Sequence, residues 1–320
     1  MAADAAHAMV QAVAQQHPEA MTVRCDLLDL PLRKGSVAGV WASSAHQHVA
    51  AAALPAALGE LHRILPVGGR MVLTVFAGQG STVSPDTDEF PGRLFTLWPP
   101  AALNDLLVGA GFDVESMEVL PGSGHVLRPH PPPQRSAPSA STGVPADPII
   151  TTAVRSRTLA DSVGPGMRLL LCGLNPSIYS ADRGVGFARP GNRFWPAMVA
   201  AGLTHGSRLP GPLLLARHRI GMTDLVKRAT VAAAELGADE YATGLARVER
   251  LCDLLRPAAV GFVGLAGWRR ATDRRAVAGW QDRRLGPAPV YLMPSTSGLN
   301  ARTSLAEHTA HLRAAARGPV

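Results

Sequence analysis

The chain predicts an α/β protein built as two bodies, and three observations carry that prediction. Short apolar runs alternate with helically spaced apolar positions along both halves, the pattern of sheets flanked by helices. A stretch dense in proline, glycine and serine separates the halves. In the second half, two apolar runs end in loops of glycine, serine and proline, where parallel sheets hold their ligands.

In the first body, Leu54, Leu58, Leu61 and Leu65 recur at helical spacing and are closed off by Gly68-Gly69. Met71-Val72-Leu73-Thr74-Val75-Phe76 then reads as a buried strand. A second helix carries Leu103, Leu106 and Leu107, ends near Gly111, and leads into a strand over Phe112–Val119. Next come Pro121, Gly122, Gly124, Pro129, Pro131-Pro132-Pro133, Ser136, Pro138, Ser139, Ser141, Gly143 and Pro145. Such a composition buries too little apolar surface to offset its ordering entropy, so it reads as an extended linker. The expected domains are 1–120, a linker over 121–153, and 154–320.

In the second body, Arg168-Leu169-Leu170-Leu171-Cys172 is a short strand running into Gly173-Leu174-Asn175-Pro176-Ser177. A helix with Leu245, Val248, Leu251, Cys252 and Leu255 on one face, and Arg247, Glu249, Arg250 and Asp253 largely on the other, precedes a strand over 258–263. A last strand, 289–293, ends in Pro294-Ser295-Thr296-Ser297-Gly298.

The 320 residues suffice for two domains, and 47% apolar content with 17% charge favours packed cores over disorder. No apolar run approaches the roughly 18 residues of a membrane span, and the N-terminus lacks the basic-then-apolar order of a secretory signal. A cytoplasmic, nucleoid-associated monomer with no membrane partner is expected. Cys25, Cys172 and Cys252 lie far apart, without metal spacing, and are expected to be small buried hydrophobes; no metal site is expected. The net charge of +7 is uneven: residues 1–160 carry 10 basic against 13 acidic side chains, and residues 161–320 carry 21 against 11. The basic half is almost all arginine, whose fork suits phosphates and base edges.

Glycine at a strand end permits close backbone approach, proline sets the direction of the chain, and asparagine presents a neutral donor and acceptor. Beyond Gly173-Leu174-Asn175-Pro176-Ser177 lies a glycine-rich loop with aromatic and basic residues, Ser180-Ala181-Asp182-Arg183-Gly184-Val185-Gly186-Phe187-Ala188-Arg189-Pro190-Gly191-Asn192-Arg193-Phe194-Trp195. Two further blocks are Gly221-Met222-Thr223-Asp224-Leu225-Val226-Lys227-Arg228-Ala229-Thr230 and Met293-Pro294-Ser295-Thr296-Ser297-Gly298-Leu299-Asn300-Ala301. In this order, over about residues 155–315, they resemble the mismatch-specific uracil/thymine DNA glycosylase family of the uracil-DNA glycosylase superfamily.

That resemblance implies a parallel-sheet sandwich acting on double-stranded DNA that holds a mismatched or damaged base, with no cofactor. It implies Asn175 as the catalytic residue that orients water. Leu174, Ser177, Ser180 and Phe187 would line the base pocket, with Phe187 stacking on the flipped base. Ser295, Ser297, Gly298, Leu299 and Asn300 would form the wedge and backbone contacts. The best-known members have glycine at Ser177 and some have asparagine at Ser295, departures that bear on substrate range. Phe194, Trp195, Trp268 and Trp280 read as packing aromatics. His205, His218 and His308 read as ordinary surface or core histidines, and Arg269-Arg270 with Arg274-Arg275 as a solvated helix face, with contact to phosphate as the alternative reading.

The first body resembles the latter part of a class I S-adenosylmethionine-dependent methyltransferase, an incomplete Rossmann-like sheet. The matching stretches are residues 4–9, Cys25-Asp26-Leu27-Leu28-Asp29-Leu30-Pro31 and Leu61-His62-Arg63-Ile64-Leu65-Pro66-Val67-Gly68-Gly69-Arg70. The resemblance implies Asp4 on the cofactor ribose and Asp26 at its adenine. It also places the family's first strand and glycine-rich turn before Asp4, and Ala38 stands where an acid is usual. Little or no methyl transfer is expected.

Three functions compete: a base-excision glycosylase releasing uracil, with thymine and damaged pyrimidines left open; a methyltransferase whose second half targets DNA; and a module that binds mismatches without cutting. Base release, cofactor binding and tight binding without release distinguish them.

Overall fold

The computed structural model describes residues 1–43, 45–84, 86, 92–121, 146–206 and 208–319. The chain forms two compact units, Met1–Trp98 with Glu115–Val154, and Pro99–Val114 with Arg155–Val320.

The first unit begins with strand β1 (Ala2–Asp4), helix α1 (His7–Gln16) and strand β2 (Thr22–Arg24), in which β1 and β2 pair in parallel as a separate two-stranded sheet. Strand β3 (Gly39–Ala42) and helix α2 (Leu54–Ile64) follow, and α2 turns Leu54, Leu58 and Leu61 into the core as their spacing predicts. Strand β4 (Arg70–Ala77) is the buried centre of a larger sheet, with β5 (Gly80–Val83) and β6 (Leu94–Trp98) beyond it. After helix α3 (Pro100–Gly109) the chain returns as β7 (Phe112–Val119) and β8 (Pro148–Arg155), giving the order β5-β6-β4-β8-β7 with β3 beside β4.

Two expectations about boundaries are corrected. Residues 148–153 are not linker: they form most of β8, antiparallel to β4, with Phe76 opposite Pro148 and Arg70 opposite Val154. Ile149, Thr151 and Ala153 are buried while Ile150, Thr152 and Val154 are half-buried, a period-two signal that the neighbouring prolines obscured. Residues 122–145, the body of the expected linker, lie outside the described residues. Helix α3 groups with the second unit rather than with residues 1–120. Its Gly109 explains why: a side chain there would sit 2.6 Å from the Asp161 carboxylate and 2.9 Å from Arg247, so only glycine lets α3 pack on that pair.

The second unit continues with β9 (Leu169–Gly173), α4 (Ile178–Arg183), α5 (Phe194–Ala200), α6 (Gly211–His218), β10 (Ile220–Asp224), α7 (Ala238–Leu255), β11 (Val260–Val263), α8 (Leu265–Ala271), β12 (Gly279–Leu285), β13 (Ala288–Met293) and α9 (Leu305–Arg317). The sheet order is β10-β9-β11-β13-β12, parallel except for β12. Buried residues fill β9, and Phe194, Trp195, Met198, Leu214 and Leu312 cover the sheet, so the expectation that Phe194 and Trp195 pack in the core holds. Trp268 is also buried, and Trp280 packs edge-on against Tyr291. The chain leaves β9 for β10 on one side and crosses to β11 on the other, so the sheet reverses direction at β9. Crevices at the carboxyl ends of strands form at such reversals. No helix of the described residues is long and apolar enough to cross a membrane.

Candidate functional site

Four loops gather at the carboxyl edge of the second sheet. They follow β9, β10, β11 and β13, and backbone bonds tie the first two together: Leu225 N–H donates to Gly173 O and Val226 N–H to Leu174 O, each at 2.9 Å.

Asn175 stands at the centre of this arrangement. Its side-chain nitrogen donates to Thr230 Oγ1 at 2.8 Å and to Arg228 O at 3.0 Å, with Pro176 O at 3.2 Å. The amide nitrogen is thereby committed to the β10 loop, and Oδ1 is left as the acceptor. A neutral acceptor held this way can orient a water but cannot take its proton early.

Ser177 caps α4, its hydroxyl accepting from Ser180 N–H at 3.1 Å and donating to Ser180 Oγ at 3.1 Å. The buried Ser180 hydroxyl in turn accepts from Ala188 N–H at 3.2 Å, which draws the glycine-rich loop onto α4. Phe187 follows in a left-handed conformation, φ 54°, uncommon for a bulky residue. Its ring stacks on Phe194 at 4.0 Å and 17°, while Trp195 Nε1 holds Gly186 O at 2.9 Å.

The backbone of Gly173 explains why that position is glycine. A side chain there would meet Asp224 Oδ1 at 2.3 Å and the tip of Phe187 at 3.4 Å. Asp224 therefore lies beside Phe187 at the end of β9; sequence reasoning did not single it out although it ends β10 within one of the matching blocks. Burial pushes its carboxyl up to about 6, with Lys227 and Arg247 pulling the other way.

Beneath the β10 loop lies a buried ion cluster. Asp161 accepts from Lys227 Nζ at 2.7 Å, from Arg247 Nη1 at 2.7 Å and from Thr223 Oγ1 at 2.8 Å, and Arg247 also donates to Asp224 O at 2.7 Å. Thr158 Oγ1 donates to Lys227 O. Burial would raise the Asp161 carboxyl, but Arg247 and Lys227 more than offset it and hold it below its ordinary value. The expectation that Arg247 lies on the polar face of its helix is thus corrected: the side chain is 5% exposed because a carboxylate far away in sequence faces it.

The β13 loop holds the other expected group. Asn300 Nδ2 donates to Ser295 O at 2.8 Å and Thr303 Oγ1 at 3.0 Å; Ser295 Oγ accepts from Ser297 N–H, and Ser297 Oγ from Leu299 N–H, each at 3.3 Å. Arg193 clamps the loop through Asn300 O at 2.9 Å and Thr303 O at 2.5 Å, another contribution the sequence did not reveal. Gly298 passes close to Gly191, whose carbonyl lies 3.1 Å from where a side chain would begin. Leu299 is left 92% exposed at the tip of this tied loop. Leu174, expected in the base pocket, packs against Gly267 and so against α8.

Asp4 and Asp26 are in the first unit. They lie at the ends of the paired β1 and β2, where Cys25 N–H donates to Asp4 O, and both residues are exposed. Asp4 Oδ1 accepts from Ala6 N–H at 2.7 Å and Asp26 Oδ1 from Leu28 N–H at 2.9 Å, so each keeps one oxygen that could reach a ribose or an adenine. Burial, then the two carboxylates, push the Cys25 thiol up. All three cysteines are free; Cys172 and Cys252 are buried as expected, whereas Cys25 is only half-buried. No cluster of metal-ligating side chains occurs among the described residues.

Residues 160–317 match the uracil DNA glycosylase superfamily, and residues 1–73 match a methyltransferase domain. Among solved structures, a SAM-dependent methyltransferase from Methanosarcina mazei is 12% identical, with 48% of this chain and 80% of that one covered at a TM-score of 0.38. A 1,6-didemethyltoxoflavin-N1-methyltransferase from Burkholderia thailandensis is 17% identical, with 46% and 56% covered at a TM-score of 0.33.

Proposed function

We propose that this chain, whose residues 160–317 form a uracil DNA glycosylase superfamily domain, excises uracil from G·U mismatches in double-stranded DNA as a monofunctional base-excision enzyme. One observation carries the reading: Asn175, at the end of β9, has its amide nitrogen pinned by Arg228 O and Thr230 Oγ1 and its oxygen left to hold water.

The steps follow from the side chains. The target base is unreachable in the stack, so it must be extruded, at a cost of a few kcal/mol that is least for a mispair. Leu299, apolar and exposed on a loop clamped by Arg193, fills the vacated space. The base then stacks against Phe187, whose position is set by Phe194 behind it. Water held by Asn175 Oδ1 adds to the anomeric carbon as the glycosidic bond breaks, the electron pair leaving with the base. Because asparagine orients rather than deprotonates, the sugar carries substantial positive charge before the water's proton is lost to solvent, and the enzyme is slow. Ser177 and Ser180, bonded to each other, shape the pocket wall and bear on whether thymine or damaged pyrimidines also enter.

The test is release of free uracil from a G·U duplex under single-turnover conditions. Asn175→Ala should lower the rate by at least about a hundredfold, the contribution of an oriented reactant. Unchanged release would remove Asn175 from its role, and tight mismatch binding without any release by the wild type would favour a sensor.

A further inference from the structure

The Asn175 site leaves one strongly charged feature of the second unit unused. Arg269, Arg270 and Arg274 converge with Ala238, the first residue of α7, on one cavity of about 440 Å³. Four arginines of this unit's surface face carboxylates: Arg157 with Asp182, Arg228 with Glu240, Arg250 with Asp105 and Arg283 with Glu249. Arg269, Arg270 and Arg274, like the exposed Arg189, Arg256 and Arg302, face no carboxylate among the described residues, and they differ from those in lining one cavity together. Two are held in place by neutral groups. Arg269 Nε donates to Ala276 O at 2.8 Å, and Arg270 lies over the buried Tyr241 ring at 5.2 Å. Arg274 is exposed and unengaged. Three guanidinium groups drawn together without a counter-charge repel one another, a cost that an incoming anion would remove.

Position says which anion. Helix α8, which carries Arg269 and Arg270, follows Gly264, which lies beside Ser295 of the wedge loop, and its Gly267 packs on Leu174 of the Asn175 loop. The two arginines lie two and three residues further on, about 3–5 Å along the helix from Gly267. Phosphates follow one another at about 3.4 Å of rise along a strand, so the nearest anions to the cup on a bound duplex are backbone phosphates of the nucleotides flanking the base site.

We propose that the cup of Arg269, Arg270 and Arg274 binds backbone phosphates of the DNA strand flanking the extruded nucleotide, anchoring the duplex while the wedge loop works. This rests on the glycosylase reading for its substrate. Of the two readings open for these arginines, a solvated helix face and contact with phosphate, it takes the second, because the arginines line a shared concavity.

The experiment is fluorescence anisotropy of the full chain, in an Asn175→Ala background, with a labelled G·U duplex between about 50 and 200 mM KCl. Each arginine–phosphate pairing removed should flatten the slope of log affinity against log salt by about 0.9. Arg274→Gln, whose side chain supports nothing else, should show about one such step, and the triple glutamine variant two to three. Arg283→Gln, paired elsewhere, should leave the slope as it is. An unchanged slope in Arg274→Gln and in a folded triple variant would overturn the proposal, as would protection of the cup by inorganic phosphate with no change in DNA slope. Failure of the wild type to release uracil while Arg274→Gln still flattens the slope would sink the glycosylase reading and leave the phosphate site standing.

Discussion

Asp161 binds two cations with one carboxylate, and its removal would leave Lys227 and Arg247 buried without a counter-charge. Breaking a buried pair this way costs about 3–5 kcal/mol, so Asp161→Ala should shift the urea midpoint strongly or prevent folding. The depressed Asp161 carboxyl stabilises the fold above the ordinary carboxylate range, a contribution lost as acid protonates it. Asp224 has the opposite sign. Its carboxyl, ordinarily near 3.8, is raised to about 6, so the folded state binds a proton more tightly than the unfolded chain. Its penalty is absent well below pH 4, grows as pH rises between about 4 and 6, and is fully present above about 6. Asp224→Asn should therefore be more stable than wild type at pH 8 by roughly 1–3 kcal/mol, with the gap closing towards pH 4. Urea denaturation at the two pH values checks this, and a constant gap would remove the titration from the explanation.

The loop after β13, proposed above as the wedge, and the cap of α4 show how short segments are made rigid without a core beneath them. Arg193, Asn300 and the serine hydroxyls stiffen residues 294–300, so the loop's rigidity does not depend on burying the exposed Leu299. Leu299→Ala should leave the unfolding midpoint within about 0.5 kcal/mol of wild type. It should also slow single-turnover release from duplex DNA by about tenfold, or roughly 1.4 kcal/mol of lost support for extrusion. Equal slowing on single-stranded substrate would argue against a wedge. Ser177→Ala removes the acceptor that caps α4 and orients Ser180, for about 1 kcal/mol of stability.

The two units differ in how firmly they hold their expected sites. In the second, the loops rise from a parallel sheet whose central strand is wholly buried. In the first, Asp4 and Asp26 ride on a two-stranded ribbon that pairs with no other strand among the described residues, and both are exposed. A ribbon of two strands is marginal and preorganises a ligand poorly. S-adenosylmethionine supplies an electrophilic methyl group when bound. Asp4 and Asp26 could hold its ribose and adenine, but little methyl transfer to DNA is expected. Incubation with radiolabelled cofactor and duplex DNA tests this: incorporated label would favour the alternative in which the second unit delivers a methyltransferase.

Amino-acid order alone specified the α/β class, the strands at 168–172 and 289–293 to within a residue, the helix carrying Leu245 to Leu255, and the loops bearing Asn175, Phe187 and Leu299. Those features rest on local periodicity and on glycine, proline and serine at strand ends, which act within a few residues. What the order of residues left open required partners distant along the chain. Arg247 became a buried cation through Asp161, 86 positions away; Arg193 became a clamp through Asn300, 107 positions away; β8 was rescued from a proline-rich context by pairing with β4. The Asp161 cluster, the raised Asp224 carboxyl and the arginine cup all arise from charges brought together by packing, and their energies depend on burial and distance that no local pattern encodes.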